Sequence, residues 1–112
     1  MSGPAKGQVR QKLENYNFIS VKVRHVITNA LIDTGAFYSC ASLAFIKRLK
    51  LESHIVGTSG HNRLFTANGK PMHVLGTVNL TLNIQDFEVP VTFYVIPRLQ
   101  FNVILGLSLI HI

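Results

Sequence analysis

A chain of 112 residues suffices for one small domain and leaves no room for a second core. Its hydrophobic fraction of 47% against a charged fraction of 14% excludes a disordered polar chain. The net charge of +6, from 11 Lys and Arg against 5 acids, admits an anionic partner, and its distribution has to decide that question.

Residues 1–17 read as a flexible leader or N-terminal arm, since Gly3, Pro4 and Gly7 break any regular pattern. From Phe18 the chain turns strand-like, and Ile19-Ser20-Val21-Lys22-Val23 alternates apolar and polar residues. Arg24-His25 sits at a hairpin bend, and Ile27 to Ile32 is the returning strand. Ser42 to Leu51 is the helix candidate: Leu43, Phe45, Ile46 and Leu49 share a face, and Ser42 is placed to cap it. Past Gly57 and Gly60 the pattern is β again. Leu64 to Ala67 and Met72 to Leu75 flank Asn68-Gly69, a dipeptide suited to a tight turn. Val78 to Ile84 alternates for its whole length, Gln85-Asp86 marks a turn, and Phe87 to Ile96 follows as a strand. Val103-Ile104-Leu105 is a short buried strand ended by Gly106. About seven short strands and one helix predict a mainly β domain, built as a closed or folded-over sheet.

Partners and setting follow from what is spread out or missing. The basic residues run from Lys6 to Arg98 and group tightly only at Lys47-Arg48 and Lys50. With no finger or RNP motif, nucleic acid is not expected as a direct ligand. No apolar run reaches the length of a membrane span, and Met1 to Gly7 shows no secretory signal. One cysteine, Cys40, cannot build a disulfide framework or a thiolate metal cluster, so a reducing setting is expected and Cys40 reads as a small core residue. The histidines His25, His54, His61, His73 and His111 match no ligand spacing, so neither a metal nor another cofactor is expected.

The acids narrow the search for chemistry. Glu14, Glu52, Asp86 and Glu88 sit beside polar or turn residues, whereas Asp33 follows the apolar run Ala30-Leu31-Ile32 and precedes Thr34-Gly35-Ala36. A carboxylate at the end of a buried strand is costly unless it is hydrogen-bonded or shares a proton. A turn aspartate capping a loop is the plain alternative. One carboxylate cannot both take a proton from water and give one to a substrate oxygen; two about 3 Å apart can, by sharing a proton. The chain holds no second such tripeptide, so a second copy has to supply the partner and a symmetric homodimer is predicted.

Ala30-Leu31-Ile32-Asp33-Thr34-Gly35-Ala36 resembles the active-site loop of retropepsins, the single-domain aspartic proteases of retroviruses and LTR retrotransposons. Val103-Ile104-Leu105-Gly106, 73 residues beyond, resembles that family's second signature, and Asn68-Gly69 falls where the family carries its flap. The resemblance implies a closed, barrel-like acid-protease fold over residues 18–112 and a homodimeric aspartic endopeptidase without cofactor or metal. It implies Asp33 as the catalytic acid, with Thr34, Gly35 and Ala36 completing the loop. Thr34 would bond across the dimer interface. Gly35 and the flap residues Ala67, Asn68 and Gly69 would hold an extended polypeptide, and Ile32, Ala36 and Ile104 would line apolar pockets. Cleavage between apolar residues of a retroelement (Gag-Pol type) polyprotein is implied, in the cytoplasm or within virus-like particles.

Three departures from the family pattern stand out. Phe37-Tyr38-Ser39 replaces the acidic residues that several viral members carry after the loop, implying less polar outer subsites. Leu107-Ser108 stands where many relatives have a polar or charged pair, and only Leu107 to Ile112 follow Gly106, which implies a weak dimer. Asn68-Gly69 is equally explained as a plain hairpin turn, and Phe37 and Tyr38 as packing residues. A fold of this kind kept as a dimerisation or peptide-binding module with little turnover is the alternative function, and a basic RNA adaptor is a third.

Overall fold

The structure is a computed structural model that describes residues 17–33, 35–57, 63–65 and 70–106. Its strands are β1 (Asn17–Val23), β2 (Val26–Ile32), β3 (Cys40–Ser42), β4 (Arg63–Phe65), β5 (Pro71–His73), β6 (Gly76–Ile84), β7 (Phe87–Ile96) and β8 (Val103–Leu105). Among the described residues one helix, α1 (Leu43–Arg48), and a 3₁₀ turn at Glu52–His54 follow β3. Six strands close into a barrel in the order β1-β2-β8-β3-β7-β6, and β4 pairs with β5 outside it. The expected mainly β, closed-barrel class is what the chain adopts. The predicted leader, residues 1–16 of it, lies outside the described residues, as does 107–112.

Two long hairpins come directly from the alternation in the sequence. In β1 and β2 the inward Val21, Val23, Val26, Thr28 and Ala30 are buried while Lys22, Ile27 and Asn29 face out. Val23 pairs with Val26, so Arg24-His25 is a two-residue turn, with Arg24 at φ 56°. β6 and β7 pair along their whole length from Gly76↔Val95 to Ile84↔Phe87, and Gln85 and Asp86 take φ 48° and 72° in the turn. Positive φ at both central residues gives the turn the twist of its strands. The second strand starts at Val26 rather than Ile27, because Val26 closes the hairpin register.

The helix is shorter than the predicted Ser42 to Leu51. Ser42 is its N-cap, accepting from the Phe45 N–H at 3.0 Å. Its end is a Schellman motif: Leu51 N donates to Ile46 O, Lys50 N donates to Lys47 O, and Lys50 stands at φ 60° where glycine is usual. Leu49 and Leu51 are buried beyond the helix, so apolar spacing alone overran its boundary. Phe45 and Ile46 enter the core beside Phe93, Leu82, Val95 and Val103, all nearly inaccessible. Burying each such side chain contributes about 1.5–3 kcal/mol.

β3 is the element that the sequence reading lacks. Its three residues carry no usable period, and it exists because it has two neighbours: Cys40↔Tyr94 in parallel with β7, and Cys40↔Ile104 antiparallel to β8. Of the predicted strands Leu64 to Ala67 and Met72 to Leu75, β4 and β5 each start one residue earlier and β5 ends at His73, with Leu64 opposite Met72, while Thr66 and Ala67 lie outside the described residues. Val74 leaves that ladder for a second buried cluster, with Cys40 and Ile96. The Asn68-Gly69 turn lies outside the described residues.

Candidate active site

β2 and β8 run parallel, with Leu31 beside Ile104 and Ile32 beside Leu105. The pairing continues one step further, where the Asp33 N–H donates to Leu105 O at 3.0 Å. Asp33 therefore leaves the barrel at a fixed height, half-buried, beside the end of a strand distant in sequence. The loop beyond it is tight. The Gly35 N–H donates to Asp33 Oδ1 at 3.0 Å, and the Ala36 N–H donates to Asp33 O at 3.2 Å. A Cβ at Gly35 would lie 3.3 Å from that same carboxylate oxygen, so glycine leaves the acid uncrowded. One oxygen of the carboxylate is thus oriented by a backbone donor in a half-buried place, as a group handling protons requires.

The other candidates fall into place unequally. Ile32 is the last residue of β2, and Ala36 lies in the loop; both are half-buried. Ile104, also half-buried, packs on the cluster of Cys40, Val74 and Ile96 that Met72 of β5 joins. Ile104 and the β4–β5 hairpin therefore meet through one apolar cluster. Thr34, Ala67, Asn68 and Gly69 lie outside the described residues.

Cys40 is buried and free, as expected of a small core residue. Its thiol is pushed up to about 11, chiefly by burial and secondarily by the negative charge of Asp33. Tyr38 is a packing residue on at least one side: its ring meets Tyr94 edge-on at 5.0 Å and 67°. Phe37 is 70% exposed. Among the described residues no group of three or more His, Cys, Asp or Glu is placed to hold a metal ion. Glu52, Asp86 and Glu88 are exposed, in line with the reading that set them aside. No helix among the described residues is long and apolar enough to cross a membrane.

Sequence reasoning missed Ser39. It is 3% exposed, its hydroxyl accepts from the Gly106 N–H at 3.1 Å, and its carbonyl accepts from the Tyr94 N–H at 3.0 Å. Nothing in Phe37-Tyr38-Ser39 separates an inward serine from an outward one, because the loop has no period.

Comparison with known proteins agrees with this geometry. No curated protein matches the chain. Among solved structures, the retroviral protease-like domain of Ddi1 from Leishmania major superposes with a TM-score of 0.72 at 18% identity, over 87% of this chain and 76% of that one. A retropepsin-like aspartic protease from Rickettsia conorii gives 0.66 at 22% identity, over 88% and 79%. The EIAV protease, complexed with the inhibitor HBY-793, gives 0.62 at 20% identity, over 88% of each chain. At such identities the likeness speaks for the fold. The family described as "gag-polyprotein putative aspartyl protease" matches residues 19–111. Since that match runs through every barrel strand, the Asp33 loop and the β4–β5 hairpin, the chain belongs to this family of retropepsin-like aspartic proteases.

Proposed function

We propose that the protein is an aspartic endopeptidase active as a homodimer, with Asp33 of each protomer forming the catalytic pair. The observation that carries this reading is the Asp33 carboxylate itself, half-buried at the end of β2 and oriented by the Gly35 N–H. The described chain pairs it with no second acid, and a two-fold axis through the loop supplies one. One Asp33, protonated, polarises the scissile carbonyl, and the other, ionised, takes a proton from the attacking water. Thr34 bonds between the two loops. Gly35 and the hairpin residues Ala67, Asn68 and Gly69 hold the substrate backbone as an added strand. Ile32, Ala36 and Ile104 line the apolar pockets, so cleavage falls between apolar residues. The proposed natural substrate is a retroelement (Gag-Pol type) polyprotein, a reading supported by a family description that names the gag polyprotein.

The test is cleavage of an apolar peptide library by the wild type and by Asp33→Asn. Specific activity that rises with protein concentration, loss of cleavage in the variant and block by a statine-type transition-state mimic support the reading. Cleavage that survives in Asp33→Asn overturns it. A dimer that binds peptides without turning them over would instead identify a peptide-binding module.

A further inference from the structure

The loop from Asp33 to Ser39 begins and ends on one peptide group. Leu105 O accepts from the Asp33 N–H at 3.0 Å, and the Gly106 N–H donates to Ser39 Oγ at 3.1 Å. Those two atoms are the carbonyl and the amide of the single Leu105–Gly106 peptide unit, which is planar and rigid. Its acceptor is spent on the first residue of the loop and its donor on the last. Three of these four groups are main chain. The fourth, the Ser39 hydroxyl, is the one part of the clamp that a side chain decides.

We propose that Ser39 is a positioning residue for Asp33, its buried hydroxyl closing the loop on the Leu105–Gly106 peptide and so setting where the carboxylate stands. The reading of Asp33 as a protease acid is the basis for the effect on catalysis, though not for the effect on loop geometry. The hydroxyl is suited to this task by its place. Ser39 is 3% exposed, and an amide buried without an acceptor loses a bond that water cannot replace. The contact is also separable from folding. Ser39 O still accepts from the Tyr94 N–H, Cys40 remains in the β3 ladder, and the Tyr38 ring remains on Tyr94. Removing the hydroxyl takes away the loop's tie to the Leu105–Gly106 peptide while these other contacts keep the barrel standing. A catalytic pair that shares a proton tolerates little misplacement, since about 1 Å costs up to about 10²-fold in rate.

The experiment compares wild type, Ser39→Ala and Ser39→Thr at protein concentrations where specific activity no longer depends on concentration. For Ser39→Ala, kcat falls about 10- to 100-fold with KM within about twofold. Ser39→Thr, which keeps the hydroxyl, recovers most of the rate. Amide NMR of the same proteins gives a readout without turnover. In Ser39→Ala the Gly106 amide loses its exchange protection and the Gly35 amide, bonded to the Asp33 carboxylate, shifts, while amides of β6 and β7 stay in place. Unchanged kcat, or a Gly35 amide that does not move, overturns the proposal. A wild type that does not cleave, together with a Gly35 shift in Ser39→Ala, means that the protease reading fails and the positioning of Asp33 by Ser39 stands. Should Ser39→Ala not fold, Ser39→Thr decides: a displaced Gly35 amide despite the retained hydroxyl counts against the clamp.

Discussion

Gly106 passes so close to Tyr38 that a Cβ on the glycine would lie 2.6 Å from both the carbonyl carbon and the carbonyl oxygen of Tyr38. Those atoms are backbone, so no rotamer change makes room. The contact joins the end of β8 to the loop that begins at Asp33, and it explains the requirement for glycine after Val103-Ile104-Leu105 by space alone.

Gly106→Ala is therefore expected to destabilise the domain by about 1–3 kcal/mol, the usual cost of overpacking a filled site. A urea titration reads this as a lower midpoint with an unchanged slope. A midpoint equal to wild type would mean that the strand and the loop separate at no cost.

Asp33→Asn separates chemistry from architecture. The asparagine oxygen can still accept from the Gly35 N–H, so stability is expected within about 1 kcal/mol of wild type. On the proposed mechanism proton transfer is lost with the acid, and cleavage is expected to fall by about 10²–10⁴-fold. Parallel measurement of denaturation midpoint and peptide cleavage checks both halves.

Cys40 makes a prediction about alkaline pH. Its thiol is raised to about 11 from an ordinary 9.0, mainly by burial and then by Asp33. The folded state holds that proton more tightly than the unfolded chain, so stability falls as pH rises from about 9 to about 11. Two units correspond to about 2–3 kcal/mol. Subtracting the pH profile of Cys40→Ala from that of wild type isolates the effect from lysine and tyrosine titration. At pH 8 the native thiol should also resist alkylation that the urea-unfolded chain undergoes readily.

Ser42→Ala removes the side-chain acceptor of the Phe45 N–H at the start of a helix only six residues long. The expected loss is about 0.5–2 kcal/mol. Because α1 carries Phe45 and Ile46 into the core, thermal unfolding followed by circular dichroism should show one shifted transition rather than local fraying of the helix.

Much of this chain was readable from local pattern. Val78 to Ile84 alternates because one face of β6 meets the core and the other meets solvent, and Gln85-Asp86 stands where the alternation pauses. Asp33 is conspicuous because an acid directly after Ala30-Leu31-Ile32 contradicts its surroundings, and Ser42 ahead of an apolar helical stripe announces a cap. These features are written in neighbouring residues, and neighbouring residues suffice to read them.

What tertiary structure decided was the company each of these keeps. β3 is a strand only because β7 and β8 lie on either side of it. Asp33 is tied to Leu105 only because β2 and β8 run parallel, a pairing between segments some 70 residues apart that no local period encodes. The inward turn of Ser39 has the same origin: a serine in an irregular loop faces inward when a donor waits there, and that donor, the Gly106 amide, arrives only when the barrel closes. Periodicity reports which face of an element is buried; the identity of the group across the gap depends on chain closure over long distances.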